Sequence, residues 1–68
     1  MTYFTEEISI TNDGSVACAI TPRESYNQAI SAYHQILASA TINTNVKKCY
    51  CEVKDDSGLV YKSEVYEA

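Results

Sequence analysis

The sequence predicts an α+β fold: a two-layer ββαββ sandwich with one helix on a four-stranded sheet. Three observations lead there. Apolar residues alternate with a period of two toward both ends of the chain. They recur at helical spacing in the middle, and Gly-containing turn signals divide each end in two.

Residues 2–10, TYFTEEISI, read as a strand with Phe4, Ile8 and Ile10 on one face. Asp13-Gly14 then marks a hairpin, because glycine accepts positive φ. Residues 16–20, VACAI, continue as a second strand with Val16, Cys18 and Ile20 sharing a face. The run TPRE announces a helix: Thr21 suits the N-cap, Pro22 the first helical position, and Glu24 closes a capping box. Tyr26, Ile30, Tyr33, Leu37 and Ala40 recur at helical spacing to about Thr41, with Ala29 and Ile36 widening the stripe. Asn43-Thr44-Asn45 is a stop. Residues 46–54 form a third strand with Cys49, Cys51 and Val53 on one face, DDSG at 55–58 is a second hairpin turn, and residues 59–66 form the fourth strand.

A helix covering one face of four strands gives two layers around one core. If the first and last strands pair in the centre, the order is β-grasp-like, as in immunoglobulin-binding protein G domains. That resemblance is one of element order and carries no binding residue with it.

A chain of 68 residues supports a single core and therefore one domain. It buries only about 60% of the surface its unfolded form exposes, so its stability margin is thin, and assembly is one way to widen it. Hydrophobic content of 46% argues against disorder. No apolar run is long enough for a membrane span, and the N-terminus carries Glu6 and Glu7 in place of the basic region of a signal peptide. The three cysteines are expected to be reduced thiols in a cytosol. The net charge is −4, nine acidic residues against five basic, and acids interleave with Lys47, Lys48, Lys54 and Lys62. No basic patch emerges to neutralise phosphates, so neither nucleic acid nor membrane is an expected partner.

Cys49 and Cys51 raise the question of a metal or redox site, with Cys18 and His34 as further donors. Side chains two apart on a strand share a face with Cα atoms about 6.5 Å apart, and a regular strand does not offer the distortion a disulfide would need. Zinc knuckles usually set C-x₂-C on a turn, a spacing absent here. Small cysteines beneath a helix pack as hydrophobes, with Cys18 expected on that same helix-facing side and His34 on the helix flank. Glu6-Glu7 and Asp55-Asp56 read as solvated edge and turn residues, and both glycines belong to turns. No catalytic, cofactor or metal residue is assigned, and the chain is read as a non-enzyme.

Two surfaces remain. With Phe4, Ile8, Cys49, Cys51, Tyr61 and Val65 expected inward, Tyr3, Tyr50, Val60 and Tyr66 would point out among Lys48, Lys62 and Glu64. Such tyrosines serve either as cross-strand decoration or as a recognition surface of large area and low entropic cost. The second surface is the outer helix, where Ser31, Ala32, Gln35 and Ser39 are small and neutral and no charge intervenes between Ser25 and Val46. It reads either as a tolerant exposed face or as a docking ridge.

Residues 33–67, with YH..LAS on the helix, NVK opening a strand, a D..G turn and a final charged-aromatic strand, resemble small uncharacterised phage, prophage and mobile-element proteins of gut Firmicutes. That likeness implies a virion or assembly accessory. The expected function is a non-enzymatic protein-interaction or assembly module that forms homo-oligomers. The alternative is an acidic inhibitor or nucleic-acid mimic that blocks a host protein.

Overall fold

The computed structural model describes every residue from Met1 to Ala68. The elements are β1 (Tyr3–Thr11), β2 (Val16–Arg23), α1 (Tyr26–Ile42), β3 (Val46–Asp55) and β4 (Val60–Glu67). One helix packs on a four-stranded antiparallel sheet, the α+β class expected.

The strand order is β2-β1-β3-β4, which corrects the β-grasp expectation: the centre pairs β1 with β3, antiparallel, and β4 lies at an edge. The chain leaves β2, crosses through α1 and returns as β3 with β1 between them, a split βαβ arrangement. Composition accounts for the choice. β3 offers Cys49, Cys51 and Val53 to the core, whereas the β4 residues opposite them are Tyr66, Glu64 and Lys62, two of them charges that suit a wet edge.

The helix begins later than the TPRE signal suggests. Thr21, Pro22 and Arg23 still belong to β2, and Ser25 is the N-cap, its hydroxyl accepting from the Gln28 N–H at 3.1 Å. The Gln28 side chain in turn accepts from the Glu24 N–H, so Ser25 and Gln28 supply the reciprocal cap expected of Thr21 and Glu24.

Ala29, Tyr33 and Leu37 meet Cys51 and Val53 in the main core, and Ala40 meets Val46 and Cys49 in a second cluster. Thr5 is buried beside them, its hydroxyl donating to the Ala29 carbonyl at 3.1 Å. Ala29, Ala40, Cys49 and Cys51 are small, and at Ala29 the helix backbone comes within hydrogen-bond reach of the Thr5 hydroxyl. Both hairpin turns use a glycine at positive φ, Gly14 at 89° and Gly58 at 91°.

Candidate interaction surface

The register decides which residues face the helix. Thr5 pairs with Val53 and Ser9 with Cys49, so the odd-numbered residues of β1 up to Ser9 and of β3 from Cys49 point toward α1; the register shift between Ile10 and Thr11 brings Val46 to the same side. Phe4, Ile8 and Ile10 therefore lie on the opposite, open face, as do Val16, Cys18 and Ile20, which pair with Ile10, Ile8 and Glu6. This reverses the expected inward placement of Phe4, Ile8 and Cys18. Hydrophobicity alone suggested Phe4 and Ile8 for the core, but a close-packed layer under Ala29 favours Thr5 and Ser9.

The tyrosines divide accordingly. Tyr50 is on the open face as expected, with the Lys48 ammonium 5.2 Å from its ring centre. Tyr3 and Tyr66 instead pack against the helix-side core, and Lys62 and Glu64 also take that side through their pairing with Val53 and Cys51. Val65, expected inward, pairs with Tyr50 and is exposed on the open face. Tyr3, Tyr26 and Tyr61 form a triangle with ring centres 5.4–5.9 Å apart, Tyr26 edge-on to both others and Tyr3 tilted against Tyr61, which closes one end of the core. Of the helix positions, Ser31, Gln35 and Ser39 are exposed and Ala32 is half-buried. Ser31, Ala32 and Gln35 line an open polar groove of about 610 Å³ with Arg23, Glu24 and Gln28; Ser39 is not part of it.

The open face has two unlike halves. On the β1–β2 side it presents Phe4, Ile8, Ile10, Val16, Cys18 and Ile20, with Glu6 the charge among them. On the β3–β4 side, Lys48, Glu52, Lys54 and Glu67 alternate with Tyr50, Val60 and Val65. Lys54 bridges Glu6 at 3.3 Å and Glu52 at 3.4 Å, and its hydrogen bond to Glu6 is the chief cause of its raised pKa. A groove of about 230 Å³ opens beside Ile8, Tyr50 and Val65, below the size of most small-molecule sites. Of the three carboxylate residues that line it, Glu6 and Glu52 are tied to the same lysine and Glu64 is not.

The sulfur atoms are separated by the sheet. Cys49 and Cys51 are buried on the helix side, and Cys18 is exposed on the other, so the three cannot converge on one metal ion. Burial pushes the Cys51 thiol up to about 12 and raises Cys49 as well, which keeps both protonated and unreactive near neutrality. His34 is exposed and packs edge-on to Tyr33, 5.3 Å between ring centres.

Asp55 departs from the solvated turn residue expected: it is only 3% exposed. Its carboxylate accepts from the Ser57 N–H and hydroxyl, from the Leu59 N–H at 3.2 Å and from the Tyr61 hydroxyl at 2.6 Å. The Ser57 hydroxyl, then the Tyr61 hydroxyl, hold its pKa down to about 2, and the same contact lifts Tyr61 to about 12. The signal in the sequence was the Asp-x-Ser-Gly turn itself, since Asp at that position bonds backbone groups just ahead of it.

No family model matches this chain, and neither a curated protein nor a solved structure does. No helix is long and apolar enough to cross a membrane.

The two sheet edges differ as sharply as the two halves of the open face. β4 carries Lys62, Glu64 and Glu67, and a register shift at Val53/Lys54 interrupts its pairing with β3, both features that discourage a further strand. β2 carries no charged side chain from Val16 to Pro22, and its residues Val16 to Ile20 are all exposed.

Proposed function

We propose that this chain is a non-enzymatic assembly module that associates with further copies of itself through the β1–β2 hairpin. The observation that carries the reading is the uncharged, exposed β2 margin on a chain whose net charge is −4. Two copies can meet there without like-charge repulsion, and an apolar edge strand left uncovered invites pairing. The thin core adds support: only ten of the 68 residues are buried, and several of those are Ala or Cys. The likeness of residues 33–67 to phage and mobile-element proteins accords with an accessory role in assembly and forms part of the same proposal. The acidic-inhibitor alternative has less behind it. Glu6 and Glu52 are both tied to Lys54 and Asp55 is turned inward, so these carboxylates form no row resembling phosphates.

Sedimentation velocity over a micromolar-to-millimolar series tests the reading. The wild-type mass should rise with concentration, Ile20→Lys should stay monomeric throughout, and Glu64→Lys on the opposite edge should associate as the wild type does. A wild-type chain that stays monomeric, or an Ile20→Lys variant that still associates, would contradict it.

A further inference from the structure

The hairpin also specifies how two copies meet, an inference that rests on the self-association reading above. Val16 and Ile20 are 62% and 58% exposed on the open face, while Ala17 and Ala19 are exposed on the helix side of the same strand. A partner stacked on the open face would cover only the first set. A strand laid alongside β2 would cover both at once. On the neighbouring β1, flanked by strands on both sides, Phe4, Ile8 and Ile10 of the same open face are already half-buried.

The backbone gives the phase. The Thr11 N–H donates to the Ser15 carbonyl at 2.9 Å, so the odd-numbered residues of the hairpin make its inner hydrogen bonds. Antiparallel alternation then leaves the N–H and C=O of Val16, Cys18 and Ile20 directed at the free edge. Pro22, which has no N–H, ends that row.

We propose that a second copy adds its own β2 antiparallel to this edge, about a two-fold axis at Cys18, to form a continuous eight-stranded sheet. Val16 then lies opposite Ile20 of the second copy, Cys18 opposite its own equivalent, and Ala17 opposite Ala19 of the second copy. The same register brings Arg23 to the end of the seam where the hairpin turn of the second copy, which carries Asp13, begins, once at each end. Arg23 makes no salt bridge within its own chain, and its Nε is buried without an acceptor. Asp13 is exposed, and the Thr11 hydroxyl, then Ser15, hold its pKa down to about 2, so it is charged across the physiological range. Because each helix sits mainly over β1 and β3, the two helices stand apart on one side of the joined sheet and do not collide.

Cys18 reports the register directly. It is the accessible thiol of the chain, Cys49 and Cys51 being buried, and the two copies of its Cα would lie about 5.5 Å apart across the seam. A short bifunctional maleimide, applied where sedimentation shows association, should give a covalent dimer linked through Cys18 of both copies. Ile20→Pro removes an outward N–H that β1 does not use, and should abolish that dimer while circular dichroism still reports the folded chain. Arg23→Gln should weaken association about tenfold or less, an effect that added salt diminishes. Association by mass without Cys18 linkage would overturn this arrangement and leave self-association standing. No association at any concentration would overturn both, and a Cys18-linked dimer that survives Ile20→Pro would overturn the strand pairing.

Discussion

Asp55 ties the end of β3 to the second hairpin turn and to Tyr61 through one carboxylate, and much of that turn's order depends on its charge. Its pKa is about 2 in the folded chain and about 3.9 when unfolded, so the unfolded state takes up the proton first as pH falls. The stabilisation is complete above about pH 4 and is lost as pH drops toward 2, a window that Asp13 shares. Urea midpoints measured from pH 6 to 2.5 should fall through that interval, and Asp55→Asn should flatten the fall while lowering the neutral-pH Tm by roughly 5 °C or more. Cysteine chemistry gives a second prediction. A thiol reagent should modify Cys18 rapidly in the folded chain and reach Cys49 and Cys51 only on unfolding. The packing role of Cys49 and Cys51 was legible from their spacing. The placement of Cys18 was not, because the pairing phase of β1 decides it and local alternation does not.

The elements were mostly readable, and the misreadings have physical causes. All four strands and the helix follow from periodicity and turn residues, and the two glycine turns lie where Asp13-Gly14 and the DDSG run placed them. Two signals competed at the start of the helix. Thr21-Pro22 resembles a cap, but extending β2 to Arg23 keeps its pairing with β1 as far as Tyr3, and Ser25 with Gln28 caps equally well one turn later. Ser25→Ala should therefore cost about 1 kcal/mol of stability by chemical denaturation, and Thr21→Ala no helix-capping energy. The face of β1 was misread for a related reason. Apolar character points Phe4 and Ile8 inward, yet a layer in which Ala29, Cys49 and Cys51 are almost fully buried selects Thr5 and Ser9.

For the whole molecule, the class was readable and the strand order was misread, since apolar alternation alone does not say which of two hairpin strands joins the centre. The charge on β4 was the available clue: Lys62, Glu64 and Glu67 mark it as an edge, while β2, the other edge, lacks any such protection between Val16 and Pro22. A sheet with one guarded and one open edge, resting on a core of eight buried hydrophobic residues, has little stability to spare. Leu37→Ala, expected to cost about 2–5 kcal/mol, should leave the monomer largely unfolded at 37 °C by circular dichroism. The central claim is that β2 is where copies join, and residue-resolved amide hydrogen exchange tests it most directly. As concentration rises through the association range, the amides of Val16, Cys18 and Ile20 should slow together while those of β4 keep their rates. Unchanged exchange at those three amides in a sample shown to be associated, or new protection along β4 instead, would contradict the account.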